Sequence, residues 1–149
     1  MPVEIEFAKE IREICIRLLT RREHSQRELL DKLAIKGYDH AAVQAVLDKL
    51  VSEGWQSDDR FAESYARYRI KKGFGPVKIT YELGLRGVSG FDLEPVILDL
   101  AESWSDLMEQ VYRKKYADEG RLPQKEWLKR RRFLQQRGFS SEMVNKFLK

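Results

Sequence analysis

The sequence predicts an all-α fold: three tandem three-helix units of helix-turn-helix type, set out as an elongated, curved array. Three observations predict it. A weak internal repeat runs through the 149 residues, marked by Gly37, Gly87 and Gly138. Apolar residues recur at helical spacing around each of these glycines, and no segment alternates like a strand. Good N-cap residues, Asp39, Ser89 and Ser140, stand two positions after each glycine. The copies agree further out. Leu33, Leu83 and Leu134 lie four residues before the glycine, and Tyr38, Val88 and Phe139 follow it. At common offsets beyond come Val43, Val46 and Leu47, then Leu93, Val96 and Ile97, then Val144, Phe147 and Leu148. Self-similarity at a period of about 50 residues points to stacked helical units, which usually offer an extended surface to another macromolecule. The spacing places the units at residues 1–54, 55–104 and 105–149.

In the first unit, Ile11, Ile14, Cys15, Leu18 and Leu19 share one helical face. Ser25 and Glu28 have the spacing of a capping box, which starts a helix carrying Leu29, Leu30 and Leu33. Gly37 stops that helix in a left-handed C-cap, and Asp39 opens a third that ends near Gly54. In the second unit Ser57 caps a helix whose first turn holds Asp58 and Asp59, where negative charge suits the helix dipole. Phe61, Tyr65 and Tyr68 are expected on its apolar face. Gly73-Phe74-Gly75-Pro76 breaks the chain, and Pro76 suits a new helix start. Gly75 stands twelve residues before Gly87, as Ser25 does before Gly37. Ser89 should open the last helix of this unit, with a late start or a distortion imposed by Pro95. The third unit is expected to begin near Leu107, with Val111, Tyr112 and Tyr116 facing inward. A polar link, Asp118-Glu119-Gly120-Arg121, leads to Pro123 in another first turn. The following helix carries Lys129-Arg130-Arg131-Arg132, and Ser140 caps a short final one.

Catalytic chemistry finds little here. His24 and His40 both stand beside predicted caps and are expected to be exposed. Cys15, the single cysteine, falls on an apolar face and reads as an inert buried thiol. These three residues lack the spacing of a zinc site. Asp58 and Asp59 point about 100° apart on a helix, which suits capping better than metal binding. Gly73-Phe74-Gly75-Pro76 lacks the lysine and the preceding strand of a phosphate loop. No catalytic residue, cofactor or metal site is therefore expected.

Charge is more informative. The net charge is +4, but residues 110–149 hold 12 basic and 4 acidic side chains. Residues 60–90 set Arg60, Arg67, Arg69, Lys71, Lys72, Lys78 and Arg86 against Glu63 and Glu82 alone. Arg60, Arg67 and Lys71 are spaced to share a helix face. Concentrated positive charge suits a polyanion or an acidic protein surface, although a run such as Lys129–Arg132 is more often a solvated face. No apolar run approaches the roughly 20 residues of a membrane span. Glu4, Glu6, Lys9 and Glu10 replace what a signal peptide would carry, so a cytoplasmic protein is expected.

The stretch Trp55-Gln56-Ser57-Asp58-Asp59-Arg60-Phe61-Ala62-Glu63-Ser64-Tyr65, followed by Arg67 and Arg69, resembles the central motif of the RecX family. So do Lys72-Gly73-Phe74-Gly75-Pro76, Glu82-Leu83 and Arg86-Gly87. Leu18-Leu19 with Arg21, Ser25 and Leu29 to Leu33 match before it, and Phe133-Leu134 with Arg137-Gly138-Phe139-Ser140 after it. The resemblance covers nearly the whole chain. It implies a non-enzymatic bacterial regulator of the RecA recombinase, bound along the groove of the RecA filament on DNA. There it would block filament growth, favour disassembly and suppress ATP hydrolysis, strand exchange and LexA co-cleavage. It also implies a monomer that meets single- or double-stranded DNA weakly or within the filament. Arg60, Arg67, Arg69, Lys72 and Arg86 carry over from the motif as contact candidates. Lys71, Lys78, Lys129, Arg130, Arg131 and Arg132 join them on charge alone. In the third unit Arg130 takes the place held by Leu29 and Ile79 in the other two. Two readings of other classes compete: a sequence-specific helix-turn-helix DNA binder, and a helical scaffold for some other acidic partner.

Overall fold

A computed structural model describes residues 3–117 and 120–148, so Asp118 and Glu119 of the polar link lie outside the described residues. Every regular element among those described is an α-helix. In order they are α1 (Val3–Arg21), α2 (Gln26–Ile35), α3 (His40–Ser52), α4 (Asp58–Lys71), α5 (Pro76–Leu85), α6 (Glu94–Leu100), α7 (Trp104–Lys115), α8 (Gln124–Gln136) and α9 (Ser141–Phe147). The described residues gather into two compact units. One runs to Ser64 and includes Gly84–Ser89; the other holds Tyr65–Leu83 and the chain from Gly90 onward.

In the first unit α1 and α2 turn Ile11, Cys15, Leu29 and Leu33 toward Val43, Val46, Leu47 and Leu50 of α3. The start of α2 is secured twice. Ser25 Oγ accepts from the Glu28 N–H at 3.0 Å, and the Glu28 carboxylate accepts from the Ser25 N–H at 3.1 Å. Asp58 Oδ1 then accepts from the Gln26 N–H at 2.9 Å, closing a donor that a lone helix leaves to water. Burial opposes the charge on Glu28, yet the Arg22 guanidinium and the Ser25 N–H hold its carboxyl below the usual range. At the other end Gly37 adopts φ +91°. That lets the Tyr38 N–H reach Leu33 O at 3.1 Å and the Gly37 N–H reach Ala34 O at 2.9 Å, a Schellman closure.

The second unit buries Ala66, Ile70, Ile79, Leu83, Val96 and Ile97 together with Leu107, Met108, Leu134, Phe139 and Val144. The Gly75 N–H donates to Arg137 O at 2.8 Å and the Val77 N–H to Gly138 O at 2.9 Å. A backbone carbonyl from the α8–α9 turn thus caps α5. The approach is close enough that a Cβ on Gly75 would lie 2.5 Å from Gly138 O.

Several sequence expectations need correction. Tyr68 is 58 % exposed, because α4 turns Phe61, Ala62, Ala66 and Ile70 inward and leaves Tyr68 outside that stripe. His24 is 2 % exposed rather than solvated. Ser89 caps nothing regular: α6 starts late, at Glu94, with Pro95 in its first turn, and Asp92 Oδ1 accepts the Glu94 N–H. A proline lacks the N–H for an earlier turn to hold, which is the late start foreseen from Pro95. The helix α7 opens at Trp104, capped by Ser103, ahead of Leu107. Pro123 is the N-cap of α8 and not part of its first turn.

Candidate functional site

The arginines of the central stretch are held by distant acids. Arg60 Nε meets Glu23 at 3.0 Å, and its Nη2 donates to the carbonyls of Gly54 and Trp55. Arg67 pairs with Asp99 at 2.6 Å. Arg69 grips Glu82 through two bonds of 2.8 Å and lies over the Phe74 ring at 3.8 Å. The bidentate Arg69–Glu82 pair fixes geometry, and with the bonds of Arg60 to Glu23 and Arg67 to Asp99 it braces α4. Arg86 is half-buried. Asp59 stays exposed at the start of α4, while its neighbour Asp58 serves α2.

The lysines are placed differently. Lys71 and Lys72 are exposed at the end of α4, and Lys72 stands 5.6 Å from the centre of the exposed Tyr68 ring. Lys78 reaches Gln136 O at 3.4 Å and sits 4.9 Å from the Phe74 ring.

The run in α8 divides. Lys129 and Arg132 are exposed beside Pro123, Lys125 and Leu128. Arg131 donates to Asn145 Oδ1 at 3.0 Å and lies over Trp127. Arg130 is an interior residue, 3 % exposed, where Leu29 and Ile79 stand in the other two copies. Its Nε donates to Glu126 at 2.9 Å and its Nη1 to the Tyr112 hydroxyl at 2.8 Å, and its guanidinium lies 4.2 Å from the Tyr116 ring.

Within the second unit, residues outside the candidate set join Lys71 and Lys72. A cleft of about 420 Å³ is lined by both lysines and by Lys114, Lys115 and Arg137, over an apolar floor that includes Ile70, Val111 and Phe133. None of its lining residues is acidic. Lys115 stands 4.2 Å from the Phe133 ring, and Arg137 donates to Lys72 O at 3.0 Å. Sequence reading missed Lys114, Lys115 and Arg137. The one local signal was the pair Lys114-Lys115 at a helix end, which matches Lys71-Lys72 at the end of α4.

The buried titratable groups are quiet. Burial pushes the Cys15 thiol up to about 11, which leaves it protonated. Burial lowers the His24 pKa, and the neutral ring suits its neighbours: Nδ1–H donates to Arg22 O at 3.1 Å, and Nε2 accepts from Lys32 Nζ at 3.0 Å. Among the described residues there is no metal-ligating cluster, and no helix is long and apolar enough to cross a membrane.

Comparison with known proteins follows the same order along the chain. Residues 12–50 match the family description of the RecX first three-helix domain, residues 57–94 the second and residues 105–148 the third. The chain belongs to the RecX family. A regulatory protein RecX of Pseudomonas syringae pv. tomato is 34 % identical over 148 residues, which covers 99 % of this chain and 96 % of the relative. The regulatory protein RecX of Halorhodospira halophila is 38 % identical over 134 residues, 90 % of this chain and 83 % of the relative. The crystal structure of RecX from Lactobacillus salivarius superposes with a TM-score of 0.73 at 17 % identity, covering 95 % of this chain and 94 % of that one. Another, of a regulatory protein RecX, gives 0.77 at 20 % identity over 95 % of this chain and 71 % of that one. These two support the fold. RecX proteins are named as regulators rather than as an enzyme family, and the three three-helix domains agree with the repeat read from the sequence.

Proposed function

We propose that this chain is a cytoplasmic regulator that binds the RecA nucleoprotein filament and inhibits its extension, ATP hydrolysis, strand exchange and co-protease activity. The observation that carries the reading is the unbroken match to proteins named regulatory protein RecX across 99 % of the chain. The division at residues 1–54, 55–104 and 105–149 belongs to the same proposal, each copy supplying one linked contact, since linked weak contacts gain avidity without any single strong one. Lys71, Lys72, Lys129 and Arg132, all exposed, are the cations through which it would meet an acidic protomer surface or DNA. Arg60, Arg67 and Arg69 act instead by holding the central helix in shape.

The test is RecA's DNA-dependent ATP hydrolysis with the protein at sub-stoichiometric amounts. Inhibition by the parent, weakened in Lys71→Glu, Lys72→Glu, is the expected result. No inhibition by the parent, even in excess over RecA, overturns the reading. Arg67→Glu is a poor probe, because it would break the pair with Asp99 and confound folding with binding.

A further inference from the structure

We infer that the basic cleft lined by Lys71, Lys72, Lys114, Lys115 and Arg137 seats the phosphodiester backbone of an unpaired nucleic-acid strand. The inference deepens the regulatory reading by naming which surface would meet nucleic acid. Three segments far apart in sequence bring five cations to one concavity with no acidic residue lining it.

A plainer reading is that each lysine pair serves its own helix, since α4 and α7 both end there and cations suit a helix C-terminus. That accounts for only part of the charge. The ends of α4, α7 and α8 contribute about half a negative charge each, which leaves about three and a half of the five positive charges uncompensated.

Energetics favours a nucleic-acid strand over a carboxylate surface. The cleft offers four ammonium groups and the Arg137 guanidinium, and both kinds of cation bind phosphate. Exposed lysine–carboxylate pairs are worth about 0–1 kcal/mol each. The same lysines on a nucleic-acid strand release condensed counterions, so each contact gains more.

An exposed ring beside the cleft favours an unpaired strand over a duplex. Phe133 at the base already carries Lys115 and Arg137, so the ring open to a base is Tyr68, next to Lys72. Aromatic faces next to a basic track are what exposed bases stack on, whereas the bases of a duplex are already stacked.

The decisive experiment is fluorescence anisotropy of a labelled oligothymidine with the full-length chain across a salt series. Duplex DNA of equal length and a polyglutamate peptide serve as competitors. Lys114→Glu, Lys115→Glu should weaken binding about tenfold or more, and Lys114→Gln, Lys115→Gln should flatten the salt slope by roughly 0.7 per lost phosphate contact. Lys36→Glu, Lys49→Glu makes an equal charge change at exposed positions outside the cleft and should leave binding within about threefold. Circular dichroism checks that each variant is folded. No binding by the parent, equal losses in the cleft and control variants, or better competition by duplex or polyglutamate would each overturn the inference. The assay contains no recombinase, so its failure is separate from failure of the regulatory reading.

Discussion

Arg130 is the residue where the third copy departs furthest from the other two, and its replacement tests how the second unit is held. In Arg130→Ala the Tyr112 hydroxyl loses its buried donor, which costs about 1–3 kcal/mol. The bond to Glu126 adds about 1 kcal/mol, at the low end for a charged pair because that carboxylate is 35 % exposed. Loss of the guanidinium over Tyr116 adds roughly 1 kcal/mol. The total is about 3–5 kcal/mol, in the range found when one partner of a buried ion pair is removed. Against a typical stability of about 5–15 kcal/mol this is a large fraction. Arg130→Leu with Tyr112→Phe removes both members of the buried bond, leaves Glu126 to solvent and restores the residue type of Leu29. That double variant should fall within about 1 kcal/mol of the parent, since apolar replacement of a buried pair is often neutral or stabilising. Urea unfolding followed by near-ultraviolet circular dichroism of the tyrosine cluster reads both values. A cost below about 1 kcal/mol for Arg130→Ala would refute the reasoning, because a desolvated guanidinium enclosed by Tyr112 and Tyr116 cannot be lost so cheaply.

Two further outcomes are expected. His24 is held neutral by burial; the Arg22 carbonyl and Glu28 favour its charge, and the Arg22 and Lys32 side chains oppose it. The unfolded chain therefore binds the extra proton first, so stability rises with pH and is lost as pH falls below the ordinary value near 6.5. Thermal midpoints measured from about pH 5 to 8 should show this slope, and His24→Gln should flatten it; an unchanged slope would count against a neutral ring. Gly75→Ala places a methyl group 2.5 Å from Gly138 O, backbone against backbone, and should cost about 3 kcal/mol or more. Hydrogen exchange at the Val77 amide should accelerate with it, and a variant as stable as the parent would deny the close approach.

The features legible in the sequence are those with local causes. Ser25 and Glu28 are three residues apart and find each other within one turn, and Gly37 needs only its own φ. Pro95 delayed α6 as foreseen because a missing N–H acts at its own position. What escaped the sequence depends on distance along the chain. That Arg60, Arg67 and Arg69 each pair with an acid was not legible locally, because Glu23, Asp99 and Glu82 lie 37, 32 and 13 positions away. Tyr68 read as core because it is one helical step from Tyr65, yet the buried stripe of α4 passes through Ala66 and Ile70. The basic cleft was hidden for the same reason: Lys72, Lys114 and Arg137 meet only once α4, α7 and α8 have packed.

The middle helices of the first two copies are each completed by chain that comes later. Asp58 closes the start of α2, and the Gly138 carbonyl closes the start of α5. A ribosome delivers residues in order, so α5 emerges with its leading amides facing water until more than 60 further residues have followed. The nascent second copy therefore lacks this closure until residue 138 has been made. A chain cut off before Gly138 would lack that closure, and premature termination would give a protein with exposed helix ends, open to proteolysis, rather than a shortened regulator.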